Sequence, residues 1–278
     1  MNEKLSRPQF NQMDTTEKQT LMESLAARYN MTFLDLHTFD RWGQSSTTGI
    51  FEKDGRKFVF VPGDTVTLGW EQFAVGLNQE SREELEYLFR EWEMEPQNPE
   101  EMIRESMAPV RQAVIGPMLV GRELEELCWE PVKMDDPRLT AHPDWLKEFR
   151  DFAWSDSSSL TLHQSARIER TEDGFQTWIY HCTDYDALLA GLEKQGLSLP
   201  TADEWAYLCG GGCRTLFPWG DGLDYSMRLR WFEDMDEDEN RPYDMEEPNF
   251  FGLSIAYDPY MREVVQADRL TTCGGDGG

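Results

Sequence analysis

The spacing of apolar residues predicts helices and strands interleaved along the chain. Apolar periodicity and capping residues predict helices over 14–29, 81–93, 143–152, 184–194 and 201–208. Alternating apolar and polar positions predict strands over 31–36, 49–53, 56–61, 65–70, 113–120, 160–168 and 175–182. From residue 210 onward the chain is rich in loops. This order of elements predicts an α+β fold.

Local signals predict where several elements begin or turn. Asp14 is followed three residues later by Glu17, and Thr201 by Glu204, which is the capping-box pattern of a helix N-terminus. Asn98-Pro99 opens a further helix. Asp54-Gly55 between two strand-like runs predicts a hairpin, because a tight two-residue turn needs positive φ.

The helix predicted at 81–93 carries an apolar stripe. Its members stand at i, i+3, i+4 and i+7, and they are Leu85, Leu88, Phe89 and Trp92. A stripe of this kind most often faces a protein core. We therefore expect these side chains to be buried.

Composition indicates a folded protein with no membrane segment. The 278 residues are 39% hydrophobic and 12% aromatic, enough to supply a substantial core. No run approaches the roughly 20 apolar residues that span a bilayer, and the N-terminus lacks the apolar run of a signal peptide. Five scattered cysteines do not form a disulfide framework. We therefore expect a cytoplasmic protein.

The charge balance changes the expected partners. The chain has 53 acidic and 26 basic residues, for a formal net charge of -27. Such a charge disfavours binding to nucleic-acid phosphates and to anionic membranes. It favours a basic protein partner or cations, although solubility alone also accounts for it.

Three segments, in order, carry a family resemblance. Residues 58–69 contain an apolar strand that meets Pro-Gly and a second strand. Residues 199–207 and 217–221 contain Leu-Pro-Thr-Ala-Asp-Glu-Trp and Pro-Trp-Gly-Asp, and residues 248–253 read Pro-Asn-Phe-Phe-Gly-Leu. Together these segments resemble the formylglycine-generating-enzyme (sulfatase-modifying factor) family. The motif residues are Pro62, Gly63, Thr201, Glu204, Trp205, Pro218, Trp219, Gly220, Asp221, Asn249 and Gly252.

The resemblance implies a C-type-lectin-like α+β fold that is rich in loops. The family-like domain would span 49–278, with a helical insertion at about 76–108. Residues 1–48 would form an N-terminal helix-strand extension. Most motif residues read as scaffold, because caps, turns and core anchors identify a fold better than an activity.

The catalytic end of the family pattern is absent. The segment Cys273-Gly274-Gly275-Asp276 stands where the family has Arg-Gly-Gly-Ser, and the family's copper-binding cysteine pair follows that segment. Here the sequence stops at Gly278. Cys209 and Cys213 are the only closely spaced thiols, and we interpret them as structural. We therefore predict no catalytic and no cofactor-binding residues.

Acidic residues are the only candidate metal ligands, and calcium is the ion that they could hold. Asp234, Asp236 and Asp238 alternate within an acidic run, 233–247, that contains nine carboxylates. An EF-hand is excluded, because Glu239 stands where the loop needs Gly and Met245 where it needs Glu. The resemblance adds Glu263, which stands one residue out of register with a Glu in the family's calcium-binding region, in a segment that lacks the family's Asn and both of its Trp residues. A solvated acidic loop and a contact surface for a basic partner are the alternative interpretations of the run.

Three functions follow as hypotheses. The first is a non-catalytic, lectin-like protein that binds a protein or another ligand through its loops. The second is a metal-dependent oxidase of the formylglycine-generating class, supported by the resemblance alone. The third is an acidic immunity or decoy protein that neutralises a basic partner.

Overall fold

The computed structural model describes residues 5–93, 98–171, 173–229 and 242–275, and these form an α+β protein. The chain divides into two compact units. Unit 1 comprises Met1–Leu124 and Leu199–Gly278, and unit 2 comprises Glu125–Ser198. Unit 2 is therefore inserted, in sequence, between the two segments of unit 1.

The helices and strands are short. The helices within the described residues are α1 (Arg7–Phe10), α2 (Thr15–Tyr29), α3 (Gln79–Glu91), α4 (Pro99–Ser106), α5 (Pro137–Thr140), α6 (Pro143–Ala153), α7 (Tyr185–Lys194) and α8 (Ala202–Gly210). The strands there are β1 (Thr32–Arg41), β2 (Gln44–Lys53), β3 (Arg56–Val61), β4 (Asp64–Leu68), β5 (Arg111–Ile115), β6 (Met118–Gly121), β7 (Trp129–Val132), β8 (Ser159–Leu162), β9 (Ala166–Thr171), β10 (Gly174–Tyr180), β11 (Glu263–Val265) and β12 (Thr271–Cys273). In the ranges that the structure covers, no helix combines the length and the apolar character needed to cross a membrane.

The predicted helix starts are confirmed by their capping bonds. At α2, the N–H of Glu17 donates to the carboxylate of Asp14, and the Glu17 carboxylate accepts from the Asp14 N–H. At α8, the N–H of Glu204 donates to Thr201 Oγ1 at 3.2 Å, and Glu204 Oε2 accepts from the Thr201 N–H at 2.8 Å. These bonds satisfy N–H groups that the first helical turn leaves without a partner.

The sheets of unit 1 are antiparallel. Four strands lie in the order β1-β2-β3-β6, and two separate pairs are formed by β4 with β5 and by β11 with β12. The predicted hairpin is confirmed, with φ of 52° at Asp54 and 78° at Gly55. The turn between β1 and β2 has the same left-handed pattern, with φ of 51° at Trp42 and 71° at Gly43. Two successive positive φ values are typical of a type I′ turn.

The three motif segments meet in the core of unit 1. The hydroxyl of Tyr207 donates to the Pro62 carbonyl at 2.9 Å, which joins α8 to the end of β3. The buried Asn249 side chain donates to the Leu208 carbonyl at 2.8 Å, which joins α8 to the third segment. The buried apolar residues that these segments share include Val59, Val61, Val66, Leu68, Tyr207, Leu208, Phe250, Phe251 and Leu253.

The N-terminal residues also pack into unit 1. The N–H of Gly63 donates to the Leu5 carbonyl at 3.0 Å, and the Arg7 N–H donates to the Gly63 carbonyl at 2.6 Å. The Arg7 guanidinium donates to the Gly211 carbonyl at 2.9 Å and lies 5.1 Å from the ring centroid of Phe251. The start of the chain thus contacts the same core as the motif segments.

Unit 2 is a helix-on-sheet layer. Its antiparallel sheet has the order β7-β10-β9-β8. Phe149 and Phe152 of α6 are buried together with Ala166 and Ile168 of β9. The amphipathic pattern of α6 explains this packing, because its aromatic residues stand three positions apart.

Two runs that were each predicted as one strand are two strands in the structure. The run 113–120 is two strands, since β5 ends at Ile115 and β6 begins at Met118, with Gly116-Pro117 between them. Proline has no N–H to donate to a ladder, and β5 pairs with β4 whereas β6 pairs with β3. The run 160–168 is likewise two strands, β8 and β9, separated by a turn in which Gln164 has φ of 48°.

The predicted apolar stripe is only partly buried. Phe89 is 9% exposed, whereas Leu88 is 38% and Trp92 72% exposed. Trp92 is the residue that follows the end of α3 at Glu91. The expectation of a buried stripe is therefore wrong for Leu88 and Trp92.

Candidate functional site

A buried carboxylate organises the loop at residues 216–226 of unit 1. Asp221 is 2% exposed. Its Oδ1 accepts from the N–H of Leu216 at 2.9 Å, and its Oδ2 accepts from the N–H groups of Val75 at 2.6 Å and Gly76 at 3.0 Å. Three backbone donors compensate the carboxylate for the water it has lost. Asp221 thereby joins two loops that are distant in sequence.

The indole of Trp219 is held by two ring contacts and one hydrogen bond. Its ring is parallel to that of Phe217, with an interplanar angle of 1° and 4.8 Å between centroids. The ring of Trp42 packs against it at 5.5 Å and 52°. Its Nε1–H donates to the Gly222 carbonyl at 3.1 Å. The ring therefore has one orientation, and little entropy remains to be lost when a ligand contacts it.

The hairpin tip behind Trp219 is strained and braced. A positive φ at a bulky residue such as Trp42 carries a strain of roughly 1–3 kcal/mol. The guanidinium of Arg41 lies 5.1 Å from the Trp42 ring centroid. Arg41 is itself paired with the carboxylates of Asp244, at 3.7 Å, and Glu247. Packing and charge pairing hold the tip in place against the strain.

The first turn of α3 closes the other side of the loop. Asn78 Oδ1 accepts from the N–H of Ser81 at 2.8 Å, which caps the helix, and Asn78 Nδ2 donates to the Leu223 carbonyl at 2.8 Å. Ser81 Oγ accepts from the Leu223 N–H at 2.9 Å. At Gly222 an added Cβ would lie 2.9 Å from the Asn78 side chain, so glycine is needed for this close approach.

An open cleft of about 630 Å³ lies at this junction. Its lining includes the side chains of Glu80, Trp219, Asp224 and Tyr225. Partial burial raises the pKa of Tyr225, and the nearby Glu84 and Glu80 carboxylates raise it further. Among the described residues that line the cleft, none is Cys, His, Lys or Arg. The cleft therefore offers aromatic rings and carboxylates for recognition.

The motif residues of the sequence fall into two groups in the structure. Pro218, Trp219, Gly220 and Asp221 form the loop that bears the cleft. The others lie in the core or at the helix that crosses it, and they are Pro62, Gly63, Thr201, Glu204, Trp205, Asn249 and Gly252. The residues predicted as a structural motif thus include part of the loop at the cleft and part of the core around it.

Asn249 illustrates the scaffold role. It is 2% exposed, and its Oδ1 accepts from the N–H groups of Phe251 at 2.9 Å and Leu253 at 3.2 Å. With the bond from its Nδ2 to Leu208, the side chain satisfies three buried backbone groups. Its polar atoms are therefore used to hold the fold.

Of the candidate metal ligands, only Glu263 lies within the described residues. Asp234, Asp236 and Asp238 lie outside those residues, so calcium binding at the acidic run stays a prediction. Glu263 Oε2 accepts from the Trp205 Nε1–H, and its Oε1 accepts from the Ala256 N–H, both at 2.7 Å. Burial raises the pKa of the Glu263 carboxyl. Within the ranges that the structure describes, no group of three or more His, Cys, Asp and Glu side chains has a metal-binding arrangement.

The five cysteines are free thiols, and three of them lie in surroundings that favour the protonated form. Burial raises the pKa of Cys209 well above its usual value, and it also raises the pKa of Cys213 and of Cys273. A thiol acts as a nucleophile or a soft metal ligand in its thiolate form. Burial therefore disfavours the thiolate form at these three positions.

Sequence reasoning missed the second wall of the cleft. Asn78 precedes a helix and has the residue type of a cap, so its capping bond could have been predicted. Trp42 gave no such signal, because its contact with Trp219 depends on tertiary packing. The predicted helical insertion at 76–108 therefore contributes residues to the candidate site.

Comparison of the chain with protein-family models, with curated proteins and with solved structures finds no match. The resemblance to the formylglycine-generating-enzyme family rests on the sequence motifs. Function has to be argued from the site itself.

Proposed function

We propose that this chain is a non-catalytic binding protein, lectin-like in its scaffold, that recognises a basic protein partner through the loops of unit 1 in the cytoplasm. The observation that carries the proposal is the cleft beside Trp219. There the side chains of Asp221 and Asn78 form hydrogen bonds with backbone groups and hold two loops in place. Aromatic rings and carboxylates line the cleft between them. Loops fixed on a rigid frame are a common place for recognition.

Charge supports a basic partner. The net charge of -27 attracts cationic proteins and speeds their association at low salt. The rim residues Glu80 and Asp224 have the same sign as the whole chain. In a decoy or immunity role, the chain would bind this basic partner in order to neutralise it.

The thiol environments favour binding over an oxidase of the formylglycine-generating class. A copper oxidase would need thiolates, whereas burial raises the pKa of Cys209, Cys213 and Cys273. The resemblance to the formylglycine-generating-enzyme family then concerns the scaffold, in this proposal, and not the reaction.

Affinity capture with the full chain tests the proposal. The chain is immobilised and exposed to extract of its native cells at about 50 and about 150 mM salt, and bound proteins and metals are quantified. Trp219→Ala is compared with Trp154→Ala, which removes a Trp that is 88% exposed in unit 2. Thermal unfolding verifies that both variants fold.

We expect one basic protein to be retained by the unmodified chain and by Trp154→Ala and to be lost by Trp219→Ala. Stoichiometric copper or iron together with turnover would contradict a non-catalytic role. Identical captured proteins with both variants would contradict recognition through the cleft loops.

A further inference from the structure

The cleft beside Trp219 is lined by aromatic and acidic side chains. Glu80 stands in the first turn of α3, and Asp224 and Tyr225 stand on the loop that follows Asp221. Besides partial burial, the negative charges of the Glu84 and Glu80 carboxylates act on the Tyr225 hydroxyl and raise its pKa. Aromatic rings and carboxylates that line one cleft are the groups that attract an ammonium or guanidinium group.

The fixed geometry of the ring strengthens this arrangement. Trp219 is stacked on Phe217, backed by Trp42 and hydrogen-bonded to the Gly222 carbonyl. Trp is the ring with the strongest attraction for cations. A ring that is already oriented loses little freedom when a cation binds to it.

The charges around the cleft oppose an anionic occupant. Among the described lining residues there is no Lys, Arg or His. The N-terminus of α3 would favour an anion, but the side chain of Asn78 already accepts from its Ser81 N–H, and Glu80 lies in its first turn. The positive end of the helix is therefore compensated from within the chain.

We propose that the cleft is the receptor site for an arginine or lysine side chain on a basic peptide segment of the partner, with Trp219 as the ring that it contacts and with Glu80 and Asp224 as its counter-charges. This inference rests on the proposed binding function and specifies the chemistry of the ligand. The volume of about 630 Å³ is in the range of roughly 300–1,000 Å³ that is typical of ligand pockets, so more than one side chain fits. A short segment of the partner is the occupant.

A labelled hexa-arginine peptide tests the inference on the full chain at about 150 mM salt, where unspecific attraction is screened. The cleft variant is Glu80→Gln/Asp224→Asn. The amide oxygen introduced by Asp224→Asn can still accept the bonds from Ser226 that Asp224 Oδ1 accepts in the structure. The matched control is Asp35→Asn/Glu52→Gln, which removes the same charge from exposed positions at the far end of the β1–β2 hairpin. These positions are more than about 20 Å along the strands from Trp42.

We expect the peptide to bind the unmodified chain, and the cleft variant to weaken binding about tenfold, because two charges near the ligand are lost. The control should remain within about twofold. A hexa-citrulline peptide, which has the same shape without the charge, should not bind. Thermal unfolding verifies that both double variants fold like the unmodified chain.

Three results would overturn the inference: equal weakening by both double variants, equal binding of hexa-citrulline, or no binding of hexa-arginine. The last result separates the two proposals. If the chain still captures a partner that depends on Trp219, the binding function stands and only the cationic ligand is wrong. If no partner is captured either, both proposals fail.

Discussion

Two asparagines of unit 1 hold the chain together in different surroundings. Asn249 lies in the core at α8, is 2% exposed and satisfies three backbone groups. Asn78 lies at the cleft, is less buried and bonds to Ser81 and Leu223. Water can replace the bonds of Asn78 but cannot reach those of Asn249. The comparison teaches that similar bonds serve global stability in the core and local order at the cleft.

The largest expected effect is that of Asn249→Ala. It leaves the Leu208 carbonyl and the Phe251 and Leu253 N–H groups without partners away from water, which should lower the free energy of unfolding by about 4 kcal/mol. Urea denaturation measures the change. Asn78→Ala is the matched control and should lose only about 1 kcal/mol, as is typical of a cap. Equal losses for the two variants would remove the distinction between core and cleft.

Gly252→Ala should come next, at about 3 kcal/mol. The residue has φ of 83°, and an added Cβ would lie 2.4 Å from the Phe39 ring. Gly43→Ala is the control, because φ there is 71° but nothing lies within 4 Å of an added Cβ. It should lose only about 1 kcal/mol, from backbone strain alone. Urea denaturation of both variants measures the difference, and a loss at Gly43 as large as that at Gly252 would show that crowding by Phe39 contributes nothing.

Asp221→Ala should have a smaller global effect and a marked local one. Two of its three N–H donors, those of Val75 and Gly76, line the open cleft, so water replaces part of the lost bonding, and we expect a loss of about 2 kcal/mol. Amide hydrogen exchange should accelerate at Val75, Gly76 and Leu216 and remain unchanged at Phe251. Faster exchange at Phe251 as well would indicate that the loop and the core unfold as one unit.

The smallest expected effect concerns Glu263 and pH. Its pKa is raised above the ordinary 4.5 by burial, so the folded chain holds this proton more tightly than the unfolded chain. This contribution to stability is present below pH 4.5 and is lost as the pH rises past the raised pKa. Glu263→Gln should therefore flatten the fall in stability above pH 4.5, by less than about 1 kcal/mol. Denaturation curves from about pH 4 to 7 measure the slope, and an unchanged slope would contradict the assignment.

Local chemistry explains what could be predicted from the sequence. The capping boxes at Asp14 and Thr201 and the Asp54-Gly55 turn each depend on a few adjacent residues, and the structure confirms all three. The break at Gly116-Pro117 was visible as residue types, but its meaning depends on β5 and β6 pairing with different strands. Which strands pair with each other is decided by the tertiary fold, and the periodicity of apolar residues does not show it.

For the same reason, only one of the two segments that meet at the cleft is recognisable from the sequence. The Pro-Trp-Gly-Asp segment is recognisable as a fixed loop, whereas its bonds to Val75 and Gly76 connect positions 146 and 145 residues apart. Trp42 was missed because a two-residue turn with positive φ is expected to contain Asn, Asp or Gly. An unusual residue in a strained turn became informative only once its contact with Trp219 was known.

The division of unit 1 into two sequence segments has a consequence for the order of events on the ribosome. The strands β1 to β6 are synthesised well before α8, whose Tyr207 and Leu208 complete their core. Unit 2 is continuous and emerges entirely within that interval, so it can fold first. During synthesis the apolar faces of β3 and β4 remain without their partner helix α8 for several seconds. Nascent chains of this protein are therefore expected to need chaperone protection at the N-terminal segment rather than at unit 2.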